Sequence, residues 1–423
     1  MRLALYHPWI YLCGGAERVV AEIVGRSRHD WVIYTHHFEP ESTFPCLRKE
    51  VVELGPPVSV KRSLSPLVRA AATLSRTRLP EDGARALLVS SEGLGDLLLA
   101  RTRLPAVAYC HTPLKILHDP EVRAELARRD PTKAAMLRFL GRPFQAADAA
   151  LWRRYCHVLV NSNETRRRVL KGRLAPDPAV EVLYPGVDLQ RFGVEFAELE
   201  SVPAAQSREP LFLVAGRMVW QKKLELAIDA MRIAVAIGLS GRLVIAGAVD
   251  EKSREYVNGL KARAQGLPIT FEEGPSDERL IELYQQATAL LFTAPNEDWG
   301  IVPLEAMASG TPVIAVASGG PCESIVHGET GWLLAGRPKA FADQMLAVSA
   351  MPEEIGRMRS ACRRRAGRYD WDRFVARIDD VMEEVATTGA VTAPVHGIDT
   401  DQPAQPALAD LVALDSAIAD ALR

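Results

Sequence analysis

Short runs of apolar and β-branched residues alternate along this chain with longer stretches in which apolar positions return every three or four residues, the period of a helix with one buried face. The first half carries six such runs: RLALYH (2–7), WVIYT (31–35), ALLVSS (86–91), AVAYCH (106–111), HVLVNS (157–162) and VEVLYP (180–185). The rhythm restarts near residue 210 with LFLVAG (211–216), RLVIAG (242–247), ITFEEG (269–274), ALLFTAP (289–295), PVIAVA (312–317) and GWLLA (331–335). Strand-like runs separated by helical material predict βα units around parallel sheets. The pattern therefore predicts an α/β chain of two Rossmann-like domains facing a cleft, with ligands at the carboxyl ends of the strands. The domains are expected at residues 1–195 and 208–370. Between them SVPAAQSREP (201–210) has two prolines and no period, which places the interdomain linker within 193–210. Residues 371–386 read as an amphipathic helix, with Phe374, Ile378 and Met382 on one face, able to pack back on the first domain. Residues 387–423 read as a linker ending in a short helix with Leu408, Leu411, Val412, Ile418 and Leu422 at helical spacing.

Composition narrows the function classes. At 423 residues, 48% hydrophobic and 25% charged, the chain is ordinary globular protein, neither disordered nor fibrous. No apolar run approaches the ~18 residues of a membrane span, and MRLALYHPWIYLCGGAER has no basic segment leading into an apolar signal stretch, so a cytoplasmic protein is expected. The six cysteines are scattered without a C-x-x-C and read as reduced thiols. The net charge of −2 conceals an asymmetry: residues 1–195 hold 29 Lys and Arg against 21 Asp and Glu, and the rest hold 22 against 32. A basic first half suits a nucleic acid, an anionic membrane or a phosphorylated acceptor. No aromatic-interleaved basic module is present, so no nucleic-acid partner is expected. KRSLSPLVRAAATLSRTR (61–78) mixes Leu64, Leu67, Val68 and Leu74 with Lys61, Arg62, Arg69, Arg76 and Arg78. It reads either as a helix covering a sheet or as one that touches the inner leaflet of an anionic membrane.

Three segments carry candidate chemistry. HPWIYLCGGAERVV follows the first strand, and its Gly14 and Gly15 open a helix whose N-terminal amides can approach a phosphate without a side chain in the way. GRMVWQKK (216–223) places Arg217 and Lys222 after the first strand of the second half, where a guanidinium fork and an ammonium suit a diphosphate. In APNEDWGIVPLEAMASGTPVIAVASGG (294–320), a helix starting near Gly300 presents the amides of Gly300, Ile301 and Val302 to a phosphate. Glu305 then lies on its second turn, placed to accept ribose hydroxyls, and Glu297 stays in the preceding loop. A solvated basic turn and ordinary helix charges are the competing readings of these segments. YDWD (369–372) contains an Asp-x-Asp, but its place before a helix makes Asp372 a cap or first-turn charge, and no metal site is expected.

Taken together, GGAERVV, YCHTP, YPGVDLQRF, GRMVWQKK, the E-x7-E of NEDWGIVPLEAMASGTPVIA and SGGPCESIVHGETGWLL resemble the retaining glycosyltransferases of family 4, which have the two-domain GT-B fold. The resemblance covers about residues 1–386 and is strongest to the mannosyltransferases that build lipid-linked or polysaccharide glycans. It implies a nucleotide-sugar donor, GDP-mannose above others, a glycan or lipid-linked hydroxyl acceptor, and no cofactor or metal. It further implies that Arg217 and Lys222 bind the donor diphosphate, that Glu305 binds its ribose and that Gly15 approaches the diphosphate. Glu297 and His111, the latter in YCHTP, are implied beside the sugar as catalytic residues, with the departing phosphate as base. Two positions depart from the family pattern: Lys223 stands where glycine is frequent, and Trp299 precedes Gly300 where phenylalanine is usual. The rival readings are a UDP- or dTDP-sugar transferase acting on a soluble small molecule and a noncatalytic nucleotide-sugar binding protein.

Overall fold

The computed structural model describes residues 1–49, 51–58, 64–80, 82–118, 120–193 and 209–391. The chain forms two compact units, Met1–Pro185 with the segment that begins at Trp371, and Gly186–Asp370.

In the first unit β1 (Arg2–Tyr6), β2 (Asp30–Thr35), β3 (Val51–Glu53), β4 (Leu87–Ser91), β5 (Ala106–Cys110), β6 (Tyr155–Val160) and β7 (Val180–Val182) make one sheet in the order β3-β2-β1-β4-β5-β6-β7. Every pairing in it is parallel. Helices cover both faces, and β4 and β5 are buried at every position, the serines Ser90 and Ser91 included. Only β3 escapes the hydrophobic pattern, because a three-residue edge strand with two exposed positions has no run to read.

One face of this sheet is closed by the helix Trp371–Thr388. Phe374, Ile378 and Met382 enter a core with Leu3, Leu5, Val20, Ile23 and Tyr109, and the Phe374 ring meets Tyr109 edge-on at 5.3 Å. The helix runs two residues past the expected Ala386. Its polar positions are tied into the same unit. Asp379 accepts hydrogen bonds from Ser27 Oγ at 2.5 Å and Arg28 N at 3.0 Å, and Arg26 pairs with Asp372 at 2.8 Å. Arg377 donates Nε and Nη2 to the buried Glu181, both at 2.8 Å, and His157 Nε2 lies 3.0 Å from the same carboxylate.

In the second unit β8 (Leu211–Ala215), β9 (Arg242–Gly247), β10 (Ile269–Glu273), β11 (Ala289–Phe292), β12 (Val313–Val316) and β13 (Gly331–Leu334) form a second parallel sheet, ordered β10-β9-β8-β11-β12-β13. Helices Glu225–Ile237 and Pro338–Ser349 pack together on its main core, where Phe212, Met231, Ile245, Phe341 and Met345 are buried. This unit begins earlier than residues 193–210 suggested. The short helix Leu189–Phe192 belongs to it, since the Phe192 ring lies 5.9 Å from that of Tyr284 and the Phe192 carbonyl accepts from Ser309 Oγ at 3.0 Å. The remainder of the expected linker and the C-terminal helix carrying Leu408 to Leu422 lie outside the described residues.

Among the described residues no helix is long and apolar enough to cross a membrane. The helix Leu64–Leu74 buries Ala70 and Leu74 against the first sheet and leaves Val68, 58% exposed, beside the exposed Arg69. Lys61 and Arg62 lie outside the described residues, as do the side chains of Leu64 and Leu67.

The Glu181 cluster gives a stability prediction. Burial alone would raise the Glu181 pKa, but hydrogen bonds from Arg377 and His157 hold it below the usual 4.5. A carboxylate whose pKa falls on folding stabilises above its unfolded pKa, and the contribution is lost as pH falls through the folded value. Arg377→Ala leaves a buried carboxylate without its cation, a change that costs about 3–5 kcal/mol. Calorimetric unfolding should show a large deficit for the variant at pH 7 that narrows below about pH 4.5.

Candidate active site

Each sheet reverses its strand order once, between β1 and β4 in the first unit and between β8 and β11 in the second. Connections leave to opposite faces at such a point, which opens a crevice at the carboxyl ends of the two strands. The candidate residues gather there in both units.

In the second unit the turn Gly216–Arg217 leaves β8, Met218 anchors it in the core, and Trp220–Lys222 form a single helical turn. Lys222 Nζ lies 2.8 Å from Glu297 Oε2 in the loop after β11, with both side chains about a quarter exposed. Thr293 Oγ1 donates to the Lys222 carbonyl at 2.6 Å and fixes the turn against β11. Arg217 is exposed and has no carboxylate partner among the described residues. Lys223 adopts φ 52° and ψ 45°, a left-handed conformation, which accounts for the frequency of glycine at that position in the family. Its ammonium approaches Glu225 at 3.9 Å and lies 5.9 Å from the centre of the Trp220 ring.

The Glu297 loop is held by close backbone contact. The Glu297 carbonyl accepts from Gly320 N at 2.9 Å, and Glu297 pairs with Gly319 in a one-residue parallel bridge. A Cβ on Gly319 would overlap the Glu297 backbone, and one on Gly320 the Trp299 backbone, so this approach requires both glycines. Trp299 is buried with its ring 5.1 Å from that of Tyr369. Gly300 then turns the chain with φ 91° into the helix Ile301–Ala308, which has no side-chain cap. The amides of Ile301 and Val302 have no partner within their own helix, and Pro303 has no N–H at all, so this N-terminus offers adjacent donors at its positive end. Val302 Cγ2 comes within 3.7 Å of where a Gly216 Cβ would stand, so the turn after β8 adjoins the start of this helix. One helical turn on, the Glu305 carboxylate accepts from the buried Tyr284 hydroxyl at 2.9 Å. Burial and the Glu305 charge raise the Tyr284 pKa well above the usual value, so it stays a donor. Arg217, Lys222, Glu297, Gly300, Ile301, Val302 and Glu305 thus share one end of one sheet.

In the first unit His111 follows β5 and is 8% exposed. Its Nε2 lies 2.8 Å from Ser90 Oγ at the end of β4, and Ser90 Oγ lies 3.0 Å from Nδ1 of His7, which follows β1. Asn161 Nδ2 donates to the His111 carbonyl at 2.9 Å and fixes the strand end. Burial, then the neighbouring His7, pushes the His111 pKa down to about 3. Gly14 caps the helix Gly15–Arg26 without a side-chain hydrogen bond, and the Glu17 carboxylate stands where a Gly14 side chain would be. His7, Ser90 and Tyr284 were not among the residues singled out from the sequence. His7 and Ser90 are marked only by their place at strand ends, and their importance needs the strand order. No cluster of three His, Cys, Asp or Glu that could hold a metal occurs among the described residues, and Asp372 sits in the first turn of its helix paired with Arg26.

Gly319→Ala should displace the Glu297 carbonyl and cut turnover by roughly 100-fold, as misplacing an active-site group by about 1 Å does. Far-UV circular dichroism of the purified variant should match that of the unaltered protein.

Residues 13–191 match the model described as Glycosyltransferase Family 4, and residues 195–369 the one described as Glycosyl transferases group 1. The chain is 30% identical to the α-1,3/1,6-mannosyltransferase ALG2 of Homo sapiens over 365 residues, 78% of this chain and 83% of that protein. Among solved structures it resembles the sucrose-phosphate synthase of Thermosynechococcus elongatus, with TM-score 0.68, 21% identity and coverage of 92% of this chain and 99% of that one. It also resembles Anabaena HepE in complex with UDP, with TM-score 0.66, 17% identity and coverage of 90% and 100%. At those identities the likeness speaks for the fold, the GT-B fold of two Rossmann-like units. The chain belongs to glycosyltransferase family 4 and is a retaining glycosyltransferase of its mannosyltransferase-like branch.

Proposed function

We propose that the protein moves mannose from GDP-mannose, with retention, to a hydroxyl of a glycan or lipid-linked acceptor. The observation that carries this reading is the Lys222–Glu297 contact at 2.8 Å beside an uncapped helix N-terminus. It joins a cation and amide donors suited to a leaving diphosphate to a carboxylate suited to a sugar that gains positive charge. Arg217 and Lys222 neutralise the charge that grows on the diphosphate as the glycosidic bond breaks, and the amides of Ile301 and Val302 receive its oxygens. Glu305, oriented by Tyr284, accepts from the ribose hydroxyls. Gly15 approaches the diphosphate, and Gly14 allows the chain to turn there. Glu297 stabilises the oxocarbenium-like transition state, and His111 contacts the donor sugar. A diphosphate oxygen takes the proton of the attacking hydroxyl on the face from which it departs, which accounts for retention.

The choice of mannose rests on the relative named a mannosyltransferase and on the lysine pair Lys222–Lys223, familiar from that branch. A peripheral site on the inner leaflet of an anionic membrane is supported by the exposed Val68 flanked by the exposed Arg69, Arg76 and Arg78.

Calorimetric titration with GDP, UDP, dTDP and their sugar nucleotides, with and without EDTA, tests the donor. Selective binding of GDP and GDP-mannose that survives EDTA is expected. Preference for UDP transfers the assignment to another donor, and no binding of any nucleotide overturns the enzyme's proposed site. Lys222→Ala should weaken GDP binding by at least ten-fold, as loss of a charge-assisted contact does, whereas Glu297→Gln should lower kcat by about 100-fold with little change in binding. Co-sedimentation with vesicles should rise when anionic lipid is added, and binding indifferent to it would remove the membrane contact.

A further inference from the structure

Three buried side chains at the carboxyl ends of β1, β4 and β5 form one chain of hydrogen bonds. His7 Nδ1 lies 3.1 Å from the Ser90 carbonyl oxygen and 3.0 Å from Ser90 Oγ. A carbonyl oxygen only accepts, so His7 Nδ1 bears a hydrogen and donates it. Ser90 Oγ can then receive on that side and direct its own hydrogen to its other neighbour, His111 Nε2 at 2.8 Å, which is the direction adopted below. The Nε2 of His111 is then a lone pair. A neutral imidazole carries one N–H, so the hydrogen of His111 resides on Nδ1, which has no hydrogen-bond partner among the described residues.

We propose that His7 and Ser90 are positioning residues that lock His111 in its Nδ1–H form, so that the ring offers the substrate a hydrogen-bond donor and never a lone pair. The proposal rests on the reading above that His111 contacts the donor sugar, and it deepens it: the group His111 meets is an acceptor oxygen, a sugar hydroxyl or a donor phosphate oxygen. His111 on this account takes no proton from the incoming hydroxyl, which leaves the departing diphosphate as the base. Burial keeps both rings neutral. It lowers the pKa of His7, opposed by Glu92 and by the Ser90 carbonyl, and that of His111. Without the Ser90 hydroxyl the two His111 tautomers compete, and the Nε2–H form puts a lone pair on Nδ1 in place of the donor.

Long-range 15N–1H correlation spectra of the full chain read the His111 tautomer directly. In the unaltered protein Nδ1 should show the shift of a protonated nitrogen and Nε2 that of a bare one. Ser90→Ala should give a mixture, with kcat down about ten-fold, the scale seen when the orienting partner of a functional histidine is removed, and an unchanged dissociation constant for GDP. Ser90→Thr keeps the hydroxyl and should restore both the tautomer and the rate. His7→Asn, whose Nδ2 replaces the Nδ1–H, should do better than His7→Leu. An Nε2–H tautomer in the unaltered protein, or an unchanged Nδ1–H tautomer in Ser90→Ala, overturns the lock. A tautomer that shifts in Ser90→Ala while turnover holds leaves the lock standing and removes His111 from the reaction.

Discussion

Parallel strands all end on the same side of a sheet, and the reversal of strand order parts the loops that follow the two strands where it occurs. Much of this protein's chemistry depends on that constraint. In the second unit it lets the turn after β8 and the loop after β11 meet, which brings Lys222 to Glu297 across 75 residues of sequence. In the first it lets His7 and Ser90 meet across 83. A buried parallel sheet supplies the rigidity, since its strands are packed on both faces and cannot slide without exposing whole apolar runs.

The two units use opposite electrostatic means at these equivalent places. The second keeps its charges at the surface: Arg217 is exposed, the Lys222–Glu297 pair is partly solvated, and the helix at Gly300 presents amides. Partly solvated groups of this kind exchange partners at small cost. The first buries its polar groups, so that burial holds His111 and His7 neutral. One unit thus presents partly solvated charges at its strand ends, and the other presents buried neutral rings.

Backbone geometry links these sites to residues that carry no chemistry of their own. Gly319 and Gly320 set the position of Glu297 by allowing two main chains to touch, and the buried Trp299 pins the same loop from below. Lys223 shows the converse, since it occupies a left-handed position that suits glycine and is steadied by Glu225 and the Trp220 ring. Arg377 and Asp379 tie the last described helix to the first unit, so the chain returns to the unit in which it began.

By itself the sequence determined the strands, because twelve apolar runs coincide with twelve of the thirteen strands, and only β3 was too short and exposed to register. It also determined the glycine and proline punctuation that starts the helices at Gly15 and Ile301. Local periodicity and local turn chemistry encode such features, so they are legible without neighbours. Only the tertiary structure decided which strand ends adjoin. That step joined Lys222 to Glu297 and Tyr284 to Glu305, explained the two glycines after Ser318, and drew His7 and Ser90 into the site of His111. It also assigned residues 186–193 to the second unit, where Phe192 finds its core. These contacts are set by strand order and by burial against distant segments, and neither leaves a period in the chain.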